Sequence, residues 1–334
     1  MRSQQAPAMR AWPLALIAIA LGALPARAQG NAADYPSRTV TIVAPAAPGG
    51  LYSLFARLIG AKLEQRFGKP FIVENRPGAS SVVGALSVAR ATPDGYVLMT
   101  ATSSTMATNV SLFKNLPYDP RVDLAPVALI ARVPEVLVVN AALPVRSVAE
   151  LAELARATPG GLHFGSAGPG TAQHLGGEML KRALGIELTH VPYKGMQPAI
   201  GDVAGGHIPL MFSPIPIALP LIQAGKLRPI GLSMAQRMEA LPDVPPLTEA
   251  GVKDFDAASW FMLVAPGKTP KDILDKLNAE LRAIVADTNV RKEFVRLGLV
   301  PVDSAPPEEL KRFVEAEIVR WGGIVRDSGL AESE

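Results

Sequence analysis

Val40-Thr-Ile-Val-Ala-Pro-Ala-Ala-Pro-Gly-Gly-Leu-Tyr-Ser-Leu-Phe-Ala-Arg57 decides the fold. Its first four residues are a short β-branched run that reads as a buried strand. Beyond the glycines, apolar residues recur at Leu51, Leu54, Phe55, Leu58, Ile59 and Leu63, the spacing of a helix with one buried face. Gly68 and Pro70 stop that helix, as a C-terminal glycine and a following proline do. Pro48-Gly49-Gly50 is therefore a tight strand-to-helix turn. The helix start behind it points free N–H groups at the loop, a place that suits anions, carboxylates included. The plain alternative is a βα turn that binds nothing.

Outward from this stretch the pattern repeats. Phe71-Ile-Val-Glu74 reads as a strand, Asn75-Arg-Pro-Gly78 as a turn, and residues 80–91 as a helix of small residues. Val97-Leu-Met-Thr100 is a third strand leading into the hydroxyl-rich Ala101-Thr-Ser-Ser-Thr105. Strands alternating with helices imply a mostly parallel sheet, with ligands gathering beyond the carboxyl ends of its strands. The hydroxyls at 102–105 either donate to a carboxylate or cap helices.

Residues 127–140 form a long apolar run broken by Pro134, a strand able to cross between domains. Ser147-Val-Ala-Glu150 is a capping box opening a helix. His163-Phe-Gly-Ser-Ala-Gly-Pro-Gly170 then repeats the first design, with glycines followed by a helix. Leu188-Thr-His-Val-Pro-Tyr-Lys-Gly195 ends a strand with Tyr193 and Lys194 at its tip. Two loops of one design, one in each half, imply two anion-facing rims across a cleft. Ser259-Trp-Phe-Met-Leu-Val-Ala265 reads as a strand crossing back. Thr269-Pro270 opens a helix with a threonine cap, and a last helix starts near Pro307.

Residues 1–28 read as a secretory signal. Arg2 and Arg10 are basic, residues 11–24 are apolar, and Ala26-Arg27-Ala28 is a cleavage site. The alternative is an uncleaved anchor. Removing Arg2, Arg10 and Arg27 leaves 30 basic and 30 acidic residues, so the apparent pI near 9.1 belongs to the signal. No basic stripe for nucleic acid remains. There are no cysteines, and a chain this long buries enough apolar surface without disulfides. A bacterial periplasm fits.

Catalytic and cofactor motifs are missing. Ser166 lacks the glycine at 164 that a G-x-S-x-G elbow needs, since Phe164 stands there. His163, His174, His190 and His207 have no zinc spacing, and no phosphate-loop or dinucleotide fingerprint exists. No cofactor and no metal are expected. The rival to a binding protein is a periplasmic serine hydrolase using Ser166 with His174 or His190.

The ordered set Tyr35-Pro-Ser-Arg38, Pro48-Gly-Gly50, Val73-Glu-Asn-Arg-Pro-Gly78, Pro93-Asp-Gly-Tyr96, Gly165-Ser-Ala-Gly168 with His174-Leu175, His190-Val-Pro-Tyr-Lys-Gly195, Ala240-Leu-Pro-Asp-Val-Pro245, and Ala265-Pro266 with Thr269-Pro270 resembles the Bug family. These are periplasmic solute receptors of tripartite tricarboxylate transporters. The resemblance covers the chain from about Tyr35 to its end.

It implies a two-domain flytrap: residues 29–134 with 260–334 as one domain and 135–259 as the other, with two crossing strands as hinge. It also implies a non-catalytic, monomeric receptor for a small carboxylate. That ligand is passed to a membrane permease or reported to a sensor kinase. Family loops that hold carboxylate oxygens map onto Pro48, Gly49, Gly50, Leu51, Tyr52 and Ser53, and onto Ser166, Ala167, Gly168, Gly170 and Thr171. Thr102, Ser103, Ser104, His174, Pro192, Tyr193 and Lys194 flank them.

Three departures matter. Ser53 stands where the family usually has aspartate, which disfavours an amino acid ligand. Pro209 and Ser213 replace two acids in Gly205-Gly-His-Ile-Pro-Leu-Met-Phe-Ser213. Tyr52 adds a ring that either stacks on a flat ligand or packs on its own domain. The expectation is a dicarboxylate, aliphatic or aromatic.

Overall fold

The computed structural model describes residues 34–334. The expected signal and its cleavage site after Ala28 lie outside them. In chain order the elements begin with β1 (Val40–Ala44), α1 (Leu51–Phe67), β2 (Phe71–Asn75), α2 (Val82–Ala89), β3 (Val97–Thr102), α3 (Asn109–Leu112) and β4 (Leu124–Val133). There follow β5 (Glu135–Asn140), α4 (Val148–Ala157), β6 (Leu162–Ser166), α5 (Ala172–Leu184), β7 (Leu188–Pro192), α6 (Met196–Gly205), β8 (Leu210–Pro214), α7 (Ile215–Gln223) and β9 (Leu227–Leu232). The last part holds β10 (Ser259–Pro266), α8 (Lys271–Ala286), α9 (Thr288–Arg296), β11 (Val300–Pro301) and α10 (Pro307–Asp327).

The strands form two sheets, ordered β11-β4-β10-β3-β1-β2 and β7-β6-β8-β5-β9. Pro134 alone separates β4 from β5, so the chain passes from one sheet to the other there and returns before β10. Both sheets are mixed, where the alternating pattern predicted mostly parallel ones. β1, β2 and β3 are parallel, as are β6, β7 and β8. β5 and β10 run against their neighbours. Strands that carry loops to the cleft run toward it, whereas a strand entering a lobe from the cleft must run away from it.

Helices cover both faces of each sheet. In the first lobe Phe55 stacks on Phe261 at 4.3 Å and meets Phe294 edge-on at 6.0 Å. Burying one such ring contributes about 1.5–3 kcal/mol. Leu54, expected on the buried face of α1, is exposed. Gly68 ends α1 in the left-handed region at φ 66°, and its N–H donates to Glu64 O at 2.8 Å.

Ser147 Oγ accepts from Glu150 N at 3.1 Å, as the capping box requires, while Glu150 Oε2 takes the N–H of Arg146 rather than that of Ser147. The Thr269 cap fails. Pro270 holds the cap position, and the Thr269 hydroxyl donates to Pro266 O at 2.8 Å.

Candidate functional site: a cleft between two rims

The carboxyl ends of β1, β2 and β3 carry the first rim. After β1, Pro48 and Gly49 are exposed, Gly50 and Tyr52 half-buried, and Leu51 and Ser53 buried. No side chain caps α1, so its first N–H groups stay open. Ser53 does not face a ligand with its hydroxyl. That oxygen accepts from Asn75 Nδ2 at 2.6 Å, and the same amide group donates to Ala46 O at 2.8 Å, pinning the loop from below.

Tyr52 settles on its own lobe. Its ring meets Phe261 edge-on at 5.1 Å, and its hydroxyl lies 2.7 Å from Thr102 Oγ1 and accepts from Ser81 Oγ at 3.3 Å. The ring is therefore committed to packing, and the stacking argument for an aromatic ligand loses its support. Ser103 pairs with Ser259 at 2.8 Å inside the lobe, while Ser104 reaches the opposite rim.

The second rim is built differently, because it spends its polar groups on itself. Ser166 Oγ lies 2.6 Å from His190 Nε2, accepts from Gly168 N at 3.1 Å and sits 3.0 Å from Gly168 O. Thr171 Oγ1 donates to Gly168 O at 2.8 Å and caps α5 by accepting from His174 N. Gly170 N donates to His174 Nδ1 at 3.1 Å, which fixes His174 as the Nε2-protonated tautomer. The imidazoles of His174 and His190 stack at 3.7 Å.

Burial, with the neighbouring His190, pushes His174 down to about 3, and burial pushes His190 down to about 4, so both stay neutral. Of the mapped residues, the amides of Gly168 and Gly170 shape the loop. Ala167 and Thr171 are half-exposed at its surface. Pro192 and Lys194 are exposed, and Tyr193 donates to Asp202 Oδ2 at 2.6 Å.

The rims touch. Ser80 Oγ donates to Pro169 O at 3.0 Å, Ser104 Oγ to Gly170 O at 3.3 Å, and Gln197 Nε2 to Gly49 O at 3.2 Å. This is a closed arrangement. Sequence reasoning missed Asn75, Ser80, Ser81, Asn109, His190 as a loop anchor, and Gln197. Only Asn75 and His190 carried a signal, since Asn75 ends β2 beside the first mapped loop and His190 lies in β7 two residues before the mapped Pro192.

Pro209 is not at the cleft. It lies at the start of β8 beside a concavity of about 370 Å³ that Asn140, Leu143 and Gly206 also line. The replacement there has no bearing on the ligand. Ser213, near the cleft end of β8, is fully buried and bonds Pro214 O at 3.3 Å.

Helix starts show the electrostatic design. α1, α2, α5, α6 and α7 begin at the cleft edges of their sheets, and none has an acid in its first turn. Of the other helices, α4 has Glu150 there, α8 Asp272 and α10 Glu308 and Glu309, while α9 has no first-turn acid but is capped by the Asp287 carboxylate, and the single-turn α3 has none. Acids belong at helix N-termini, where they complement the dipole. Their omission around the cleft leaves several positive helix ends for an anion from outside.

Two lobes closing a cleft of this kind define a periplasmic solute-binding protein. Over residues 55–330 the chain matches the tripartite tricarboxylate transporter family receptor, TctC, and it belongs to that family. It is similar to an R. palustris protein solved with adipate, at 38% identity and TM-score 0.86 over 89% of this chain and 99% of that one. The periplasmic binding protein BugD is 33% identical, with TM-score 0.83 over 89% and 99%. MatC from Rhodopseudomonas palustris with bound malate is 33% identical, with TM-score 0.80 over 87% and 100%. The chain is a periplasmic receptor of the TctC and Bug type and not an enzyme. The Ser166–His190 pair is accordingly structural, and its serine is fully buried.

Proposed function

We propose that this receptor binds a linear aliphatic dicarboxylate in the cleft and hands it, as a monomer, to the permease of a tripartite tricarboxylate-type transporter. The observation that carries the reading is the ring of cleft-facing helix starts without first-turn acids. Each charge-assisted bond from a backbone N–H to a carboxylate contributes roughly 1.5–3 kcal/mol, so no arginine is needed.

Ser53 supplies no counter-charge for a ligand ammonium, and Tyr52 offers an edge already used, which favours aliphatic over aromatic or amino acids. The adipate complex of a relative at 38% identity supports the same class. The ligand contacts proposed are the open amides at 50–53, the half-exposed 167 and 171, and Thr102 and Tyr193 at the flanks. The lobes proposed are residues 29–134 with 260–334, and 135–259, closing about Pro134 and the return before β10. Export would remove residues 1–28.

A thermal-shift panel on residues 29–334, unfolded and refolded to strip any carried ligand, tests this. Succinate, glutarate, adipate, malate, citrate, glutamate, benzoate and terephthalate suffice. An acid at 100 times its Kd adds about 2.7 kcal/mol, a shift of a few degrees. Shifts confined to aliphatic diacids are expected. Shifts with terephthalate alone would overturn the aliphatic reading, and no shift with any acid would overturn the carboxylate reading.

A further inference from the structure

The β2–α2 loop has backbone dihedrals that side-chain-bearing residues avoid. Gly78, Ala79, Ser80 and Ser81 follow one another at φ 137°, 43°, 49° and 74°. Single left-handed residues occur in turns, but three in a row that are not glycine are costly and persist only where the surroundings impose them. Here Asn109 Nδ2 donates to Ser80 O at 3.1 Å, and Ser81 Oγ donates to the Tyr52 hydroxyl at 3.3 Å.

The result is that Ser80 stands off α2 and aims its hydroxyl across the cleft at Pro169 O, 3.0 Å away. The other end of that same peptide unit is also held. A trans peptide points its C=O and N–H in opposite directions. The N–H of Gly170 donates to His174 Nδ1 at 3.1 Å, within the second lobe. The Pro169–Gly170 peptide is thus clamped from both sides, by His174 of its own lobe and by Ser80 of the opposite lobe. Gly168, at φ 139°, lies beside this contact: a Cβ there would be in ordinary van der Waals contact, 3.9 Å from Ser80 Oγ and 3.5 Å from Tyr193 O.

We propose that Ser80 is a positioning residue of the binding cleft, whose hydroxyl completes the clamp on the Pro169–Gly170 peptide and so holds the second rim against the ligand in the closed state. It acts on the ligand through that loop. The strained backbone of residues 79–81 is the means of delivering the hydroxyl. The effect on affinity rests on the dicarboxylate reading; the effect on closure does not.

Two variants separate the parts. Ser80→Ala keeps the left-handed strain and removes the hydroxyl, while Ser80→Gly removes both. The chain has no cysteine, so single cysteines at exposed Glu64 and Glu153 give one spin-label pair across the lobes. Distances by pulsed electron resonance, adipate titration by calorimetry, and Tm without ligand are compared in the three proteins.

The wild type is expected to show a short-distance closed component that adipate increases. Ser80→Ala should shrink that component and weaken adipate about fivefold, with an unchanged ligand-free Tm. Ser80→Gly should raise the ligand-free Tm and weaken adipate as much. A merely structural role would lower Tm in Ser80→Ala. Equal closed fractions in all three proteins, or a parallel loss of Tm and affinity in Ser80→Ala, would overturn the inference. If the wild type ignores adipate, adipate is ruled out as its ligand, and the closed fractions alone still decide Ser80.

Discussion

The two rims share one design in sequence, glycines followed by a helix, yet they solve different problems. The second rim has its hydroxyl, imidazoles and glycine amides bonded to one another: Ser166 to His190 and Gly168, His174 to Gly170, Thr171 to Gly168. The first rim is pinned from beneath by Asn75 and leaves the start of α1 uncapped. One rim is preorganised by internal bonds; the other leaves the first N–H groups of α1 without a side-chain cap. A glycine-loop pattern alone does not distinguish a donor surface from a self-satisfied one.

Placing the same substitution in both loops breaks this comparison most directly. At Gly170, φ is 66° and an added Cβ would sit 2.2 Å from Leu112 Cδ2. Gly170→Val should cost about 2–4 kcal/mol through strain and overpacking, read by urea unfolding. A loss below 0.5 kcal/mol, about a third of a tenfold change in equilibrium, would mean the loop is soft. Gly50 is the opposite case. Its Cβ would meet only Ala47 O at 3.9 Å. Gly50→Val should leave stability within about 0.5 kcal/mol but weaken dicarboxylate binding at least about tenfold by blocking approach to the α1 amides. Equal affinity in a folded Gly50→Val protein would remove that loop from the site.

The imidazole pair gives a smaller, pH-dependent effect. His174 and His190 titrate near 3 and 4 in the folded chain, below the 6.5 of a free histidine. The unfolded chain therefore binds more protons across that interval, and the pair's contribution to stability is complete above about pH 6.5 and lost as pH falls toward 4. Glu135, fully buried with one oxygen bonded to Gln173 at 2.7 Å, has its carboxyl pushed well above the usual carboxylate range by burial and slopes the opposite way. Comparing wild type with a His174→Gln, His190→Asn double variant isolates the pair, because Glu135 remains in both. The Tm difference should shrink as pH drops from 7 to 4, and a constant difference would sink the assignment. The smallest effect is at Gln197, an exposed cross-rim donor. Gln197→Ala should change dicarboxylate affinity by no more than about twofold, measured by calorimetry. A larger loss would make this bond a main contributor to closure.

The sequence determined what is local. Period and punctuation set β1, α1 and the Gly68 stop, because the apolar spacing and a left-handed glycine act within a few residues. Pro134 and the apolar runs beside it showed where the chain crosses, and the ordered motifs showed the family. The missing acids at the starts of α1, α2, α5 and α6 were also there to read.

Direction and distance belonged to the tertiary structure. Whether a strand runs with or against its neighbours depends on which lobe the chain has just left, which made both sheets mixed. Whether Tyr52 faces a ligand or Phe261 depends on β10, some two hundred residues later. Pro209 and Ser213 lie just before and within β8, but only the fold puts one beside the Asn140 concavity and the other near the cleft end. Ser80 gave no sequence signal at all. A serine at φ 49° is disfavoured by its own backbone, and Asn109, Tyr52 through Ser81, and Pro169 across the cleft help hold it there.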